Sequence, residues 1–450
     1  MKAVFYEVKK YHIEAVCETP MHVGTTDTEK TESEILIHPV TAMPFIQGSS
    51  ISGVFGEYIK NYFDTDIMGF NPCDKEVDGR SSVVFSDALF QSNKTKIETR
   101  PHIKIDSGFS TVHSENRSGQ VFNIVYISEK SEFSFDIYYF SGDKNDESEI
   151  IEQAISALDS GEIKIGGKTT TGCGKVGLKK VTKTCYDMRD ANDRKLWINE
   201  SKEEQEITND IKKSDAKSDR YLIKVEAKAD KLMVKGSFID SMMLHSMGYS
   251  DEKYPDSMPA SNPNSCFIVP GSSYKGVFRS RITSIAKYMG ISDDFVENAF
   301  ENRSRVCFYD TVIDKKDCKI NTVVRNKIDK FTGGTISKSL FKETEISGKF
   351  HINFSVNSKE RINSDNDVIW NDTEAKKLVG LMFLTIRDMA IHAATLGSGA
   401  SVGRGFVDVS EVSVKKPDGT EYSIDFEKKD MNNESKSFIN ECIALLRKGD

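Results

Sequence analysis

Two Gly-Ser-Ser segments, Gly48-Ser49-Ser50 and Gly271-Ser272-Ser273, stand at the head of helix-like patterns. A helix that begins this way offers backbone N–H groups and small side chains to a phosphate. Lys275, Arg279 and Arg281 lie on or beside the second segment, whereas the first has Ser52 and Gly56 at the positions of Lys275 and Arg279, so the second is the more anion-seeking. The plainer alternative makes Ser49 or Ser50, and Ser272 or Ser273, simple N-caps with solvated basic residues nearby. Two glycine-rich loops, Gly166-Gly167-Lys168-Thr169-Thr170-Thr171-Gly172-Cys173-Gly174-Lys175 and Gly397-Ser398-Gly399-Ala400-Ser401-Val402-Gly403-Arg404-Gly405-Phe406, share the pattern GxxxxxGxG. They resemble phosphate cradles, with Lys168, Lys175 and Arg404 adding charge, although structural tight turns explain each loop taken singly. They are not P-loops: the nearest fit, Gly161 through Gly167-Lys168-Thr169, is one residue too long, and no Rossmann pattern precedes it.

These motifs recur because the chain repeats itself. Gly48 maps to Gly271 with an offset of 271 − 48 = 223. Val84-Phe85-Ser86-Asp87 returns as Cys307-Phe308-Tyr309-Asp310 (310 − 87 = 223), and Lys104-Ile105-Asp106 as Lys327-Ile328-Asp329 (329 − 106 = 223). The glycine loops are offset by 403 − 172 = 231, so the second copy carries a net insertion of eight residues, which a loop absorbs readily.

Each copy must supply elements to hold its motifs. Partly alternating runs at His12–Val16 and Tyr221–Val225 read as strands. Ile51, Val54, Phe55, Tyr58, Ile59 and Phe63 form one apolar helix face, and Tyr274, Val277, Phe278 and Ile282 form its counterpart. Strands follow at 82–90, 133–140, 304–313 and 349–356, and second helices at 147–158 and 373–395. The order β, α, β, β, α, β predicts an α+β fold: a tandem duplication of a ferredoxin-like, or RNA-recognition-motif-like, sheet with helices on one face. The long polar segment between the second and third strands is expected to project as a thumb hairpin. The expected domains are 1–186 and 220–425, separated by a charged, solvated linker at 187–219 and followed by a helical tail at 426–450.

The 450 residues include 61 basic and 69 acidic ones, a formal charge of −8. That balance argues against coating nucleic acid by bulk charge while leaving room for a local basic groove. The eight cysteines contain no CxxC pair, which disfavours zinc knuckles and a disulfide framework. The absence of a long apolar run and of a secretory leader leads to the expectation of a cytosolic protein with no membrane partner.

In their order, Met21-His22-Val23-Gly24, the two GSSxxGVF helix starts, the VxFxD and CxFxD strands, the KID segments and the two glycine loops resemble the RAMP superfamily of CRISPR-associated proteins. The resemblance covers both halves and is specifically to two fused copies of the crRNA-binding backbone subunit of type III effector complexes. It implies a prokaryotic cytoplasmic protein whose partners are crRNA, target RNA and other effector subunits. It further implies thumbs inserted into the guide–target duplex and an acidic residue after the first strand that cuts target RNA. Asp256, in Tyr254-Pro255-Asp256-Ser257-Met258-Pro259, fits the catalytic position of the second copy and is the expected ligand of Mg²⁺ or another divalent cation. In the first copy Glu32 stands near that position and Asp27 lies closer to the strand. Arg100, Lys104, Arg325 and Lys327 are the expected thumb contacts to phosphate. His22, at the mouth of the loop, is read as a packing residue before a general acid. The rival expectation is an architectural RNA-binding subunit without a nuclease centre.

Overall fold

A computed structural model describes residues 5–24, 32–69, 80–103, 114–115, 118–119, 121–142, 146–214, 216–234, 255, 257–263, 266–301, 303–362, 367–428 and 431–447. The described residues form two compact units. The first comprises those of Met1–Thr99, Asn123–Thr169 and Cys173–Ser218; the second those of Arg100–Phe122, Thr170–Gly172 and Asp219–Asp450.

In the first unit β1 (Glu7–Cys17) leads to α1 (Gly48–Tyr62), β2 (Val83–Phe85), β3 (Glu132–Ser141), α2 (Ser148–Ser160) and β4 (Val176–Asp187). All pairings among these strands are antiparallel, in the spatial order β4-β1-β3-β2. Alternation along β1 and β3 buries Tyr11, Ile13, Ala15, Phe133, Phe135 and Ile137. The apolar faces of α1 (Ile51, Phe55, Ile59) and α2 (Ile151, Ala154, Leu158) join them in one core.

The segment expected to be a solvated linker is folded instead. After α3 (Ala191–Asn199), Gln205–Glu206 pairs with β4, and α4 (Thr208–Lys213) follows. Few apolar anchors suffice: Ile207 and Ile211 enter the core, and Trp197 meets the rings of Tyr138 and Tyr186 edge-on at 5.8 and 5.0 Å. Composition alone hid them among charges.

The second unit repeats the plan with β5 (Arg220–Leu232), α5 (Gly271–Met289), α6 (Asp293–Phe300), β6 (Val306–Phe308), β7 (Cys318–Ile328), β8 (Thr335–Asn357), α7 (Asp372–Ala390) and β9 (Val407–Lys415). The order β9-β5-β8-β6 matches β4-β1-β3-β2 strand for strand. Both first strands carry a register shift against the last strand, at Glu14/Ala15 and Glu226/Ala227, an offset of 226 − 14 = 212. Tyr274, Phe278 and Ile282 of α5 and Leu378, Met382 and Ile386 of α7 cover Ile223, Ile352 and Phe354.

Three further expectations are corrected. The strands foreseen at 82–90 and 304–313 are each broken, at Ser86-Asp87 and Tyr309-Asp310, for a reason given below. Helix α7 stops at Ala390, short of 395, where His392 takes a left-handed φ of 62°. The unit does not end at 425: β10 (Glu421–Asp425) pairs with β9, and α8 (Asn433–Arg447) buries Phe438, Cys442 and Leu446 in the same core. Gly380 of α7 permits that contact, because a Cβ there would lie 2.8 Å from the Cys442 carbonyl oxygen.

Candidate nucleic-acid interface

The helix starts are capped from a distance. No serine caps either helix by its side chain; the N-cap residues are Gln47 and Pro270. The Gly48 N–H donates to Asp87 Oδ1, and the Gly271 N–H donates to Asp310 Oδ1, each at 2.7 Å. Thus the repeated VxFxD and CxFxD aspartates break their strands in order to satisfy an orphan amide and the positive end of α1 or α5. A Cβ on Gly48 would lie 2.5 Å from the Phe85 carbonyl oxygen, and one on Gly271 would lie 2.3 Å from that of Phe308. Glycine is therefore required for helix and strand to approach, and a carboxylate already sits where the first amide would have met phosphate. Ser49 and Ser50 remain exposed, while Ser272 and Ser273 are half-buried.

The glycine loops spend their amides internally. In the first, Ile165 N–H donates to Gly174 O (3.0 Å), Gly167 N–H to His22 O (2.7 Å) and Gly174 N–H to Pro20 O (2.9 Å). In the second, Leu396 N–H donates to Gly405 O (2.8 Å), Ser398 N–H to Met233 O (2.8 Å) and Gly405 N–H to Lys231 O (2.8 Å). Gly166, Gly172, Gly174, Gly397, Gly403 and Gly405 all have positive φ. These loops are clasps that tie the exit of the first strand to the entry of the last. His22 is 6% exposed and bonds Val125 O through Nδ1 at 2.9 Å, consistent with packing.

The basic candidates divide by burial. Arg404 is withdrawn from the interface: it is 2% exposed, and it donates from Nε to Glu345 (2.8 Å) and from Nη1 to Glu343 (2.7 Å). These carboxylates hold its pKa above the ordinary arginine value despite burial, which acts first and in the opposite direction. Arg100, in the second unit, is bonded to Asp310 Oδ2, and that pair is nearly buried. Arg281 is drawn to Asp388 (2.6 Å), which is 1% exposed. Lys275 donates to Thr170 Oγ1 at 3.2 Å, and burial pushes its pKa down to about 8. Arg279 pairs with Glu301 and Lys175 with Glu18 (2.7 Å), both partly solvated and able to exchange a carboxylate for phosphate. Lys168 is exposed.

Strands β7 and β8 form a long hairpin with Val324 opposite Lys342 and Arg325 opposite Phe341. Arg325 lies 3.7 Å from Glu343, and Lys327 is exposed. At the turn Asp329 Oδ1 accepts from the N–H groups of Phe331 (3.0 Å) and Thr332 (2.8 Å). Phe331 is 85% exposed with Lys330 Nζ 4.9 Å from its ring centroid. The second Lys-Ile-Asp segment, Lys327-Ile328-Asp329, thus ends in a turn-forming aspartate. The aromatic tip carried no repeat signal and went unread. Asp256, Asp27 and Lys104 lie outside the described residues, and Glu32 is placed only by its backbone pairing with Asn123.

The duplicated framework meets an independent test in the comparison with protein families. The RAMP superfamily model matches residues 14–177 and 195–408, most of both halves. The chain belongs to the RAMP superfamily. This RAMP protein is similar to a chain in a cryo-EM structure of the type III-B Cmr-beta complex bound to cognate target RNA, at 17% identity and a TM-score of 0.30. That alignment covers 39% of the RAMP chain described here and 61% of the other, so less than two thirds of the similar chain is spanned. A search of curated proteins finds no match. Among the described residues no helix is long and apolar enough to cross a membrane.

Proposed function

We propose that this RAMP protein is a crRNA-binding backbone subunit of a type III CRISPR effector ribonucleoprotein and that it cleaves guide-paired target RNA from its second half. The observation that carries the reading is the family match to both halves. The shared strand order, 4-1-3-2 in each unit, supports describing both as ferredoxin-like sheets. The β7–β8 hairpin, with Arg325, Lys327, Lys330 and the exposed Phe331, suits a thumb: cations for phosphate and an aromatic ring to stack on a displaced base. Lys168, Lys175, Lys275 and Arg279 are the proposed contacts along the backbone, and Ser49 and Ser50 offer hydroxyls. Sequence choice comes from guide pairing while the protein reads duplex shape.

For cleavage, a nucleotide splayed from the duplex can present its 2′-hydroxyl in line with the adjacent phosphate. The 2′-oxygen forms a new bond to phosphorus and the P–O5′ bond breaks, leaving a 2′,3′-cyclic phosphate and a 5′-hydroxyl that receives a proton. Asp256 orients the attacking hydroxyl and takes up its proton as the P–O bond forms, and solvent water supplies the proton to the leaving 5′-oxygen. A divalent cation such as Mg²⁺ would be held by Asp256 and the RNA phosphate, where it would offset charge developing on the phosphate.

Two measurements test the reading. RNA that co-purifies with the native complex is expected to share a repeat-derived end; its absence would remove the crRNA assignment. In the assembled complex Asp256→Ala is expected to lower target cleavage by about 100-fold or more, the scale of losing one reaction-centre group. Unchanged cleavage with bound crRNA would instead establish the architectural subunit.

A further inference from the structure

We infer that Arg303, Arg305 and Arg361, where β6 enters the sheet of the second unit, form a binding site for a phosphate dianion, either free or as the monoester end of a small nucleotide. Arg305 stands directly before β6. Its N–H donates to Ala299 O (2.9 Å), and its carbonyl oxygen accepts from the N–H of Asn357 (2.8 Å) at the end of β8. The guanidinium carbon lies 6.0 Å from the ring centroid of Trp370, which is 1% exposed and donates from Nε1 to Asn357 O at 2.8 Å. Arg361 pairs with Trp370 across a short antiparallel ladder, and Arg303 is exposed two residues before Arg305. Strand, ladder and indole thus gather three guanidinium groups at one place.

The cluster lacks an anion. Burial, and then the like charges of Arg361 and Arg303, push the Arg305 pKa down to about 10, and no carboxylate among the described residues opposes them. Arg305 Nε is shielded from solvent and has no hydrogen-bond partner among the described residues. Other shielded arginine contacts in this unit are matched: Arg404 meets Glu343 and Glu345, and Arg281 meets Asp388. Like charges gathered around an unpartnered donor are costly until a ligand supplies the opposite charge. A phosphate dianion suits this better than a lone carboxylate, because its tetrahedral oxygens can accept from several planar guanidinium forks while its two charges balance more of the cluster.

The site stands outside the duplicated framework. Strand β6 enters at Arg305 and leaves toward Asp310, which caps α5, so the cluster lies at the end of the strand away from the α5 start. The offset 305 − 223 = 82 puts Ser82 in the first copy at the place of Arg305. The inference does not rest on RNA binding.

Trp370 itself reports on the site, since the chain has two tryptophans and Trp197→Phe leaves only this one. In that background, inorganic phosphate and adenosine monophosphate, titrated separately into the full chain at constant ionic strength, are each expected to give a saturable change in Trp370 emission. Equal affinities would identify the free anion as sufficient, and tighter adenosine monophosphate would identify the monoester end. Arg305→Gln should weaken binding about 10-fold or more, the scale of one charge-assisted hydrogen bond. Arg303→Gln, at an exposed position that leaves the core untouched, should weaken it as well. Phosphate should also raise the melting temperature of the wild type and not that of Arg305→Gln. No saturable response to either probe, undiminished binding by both variants, or displacement of phosphate by single-stranded RNA would overturn the assignment.

Discussion

At the same step of the two glycine loops the two halves use opposite chemistry. Cys173, just before the last glycine of the first loop, is buried with Ile124 and Tyr126 in a small apolar cluster. Arg404, its counterpart by the offset 404 − 173 = 231, is buried against Glu343 and Glu345 at the base of the β7–β8 hairpin. The backbone clasps are nevertheless alike, bond for bond. Backbone geometry is therefore what the duplication cannot relax, whereas the side chain that fills the clasp is free to change if its neighbours change with it.

That ranking can be broken at the glycines. Gly405 has a φ of 77°, and a Cβ there would stand 2.2 Å from Leu396 O; Gly174 has the same clash with Ile165 O, also 2.2 Å. Gly405→Ala and Gly174→Ala should each cost about 4 kcal/mol, adding left-handed strain to overpacking against rigid backbone. Gly403→Ala, with equal φ but open space, should cost only about 1 kcal/mol. Thermal unfolding of the three variants decides it; similar losses at 403 and 405 would show that strain alone, not the clasp, sets the glycine requirement.

The ionic filling comes next in size. Arg404→Met leaves two shielded carboxylates without their cation and should cost about 3 kcal/mol. Adding Glu343→Leu and Glu345→Leu, which imitates the apolar cluster of the first half, should recover most of that loss. Arg404 Nη2 has no hydrogen-bond partner among the described residues, so the cluster is not optimised for stability. Urea unfolding of the single and triple variants measures both; no recovery in the triple variant would mean that the two fillings are not interchangeable.

Much of this framework was legible in the sequence, since period-two strands and the 3.6-residue faces of α1 and α5 bury the residues they predict. Helix starts and glycine loops were also found, because they repeat. Their jobs were not. The Asp87 cap acts across 39 residues, and nothing local distinguishes an aspartate that ends a strand from one that reaches a helix. Arg404 read as a phosphate ligand because charge is visible in a sequence while its buried partners, 59 and 61 residues away, are not. The segment 187–219 failed for the converse reason, three apolar anchors being too few to register against so many charges.

The smallest expected effect lies on the outer sheet faces. His12 Nδ1 bonds Asp136 Oδ1 at 2.7 Å, while the shared offset of 212 puts Lys224, opposite Asn353, at the corresponding place in the second half. The hydrogen bond to Asp136 raises the His12 pKa above its usual 6.5 against the opposing effect of burial. A raised folded-state pKa contributes stability that is complete below about 6.5 and fades as pH climbs through the raised value, where the folded protein releases its proton. With 34% of the His12 side chain exposed, solvent screening limits the gain to about 0.5 kcal/mol. The melting temperature of the wild type should therefore fall slightly more between pH 6 and 8 than that of His12→Gln. Lys224→Gln leaves the His12–Asp136 pair intact and should keep the wild-type slope. Equal slopes for wild type and His12→Gln would show that the dyad is electrostatically silent, and that the two outer faces differ in composition without differing in energy.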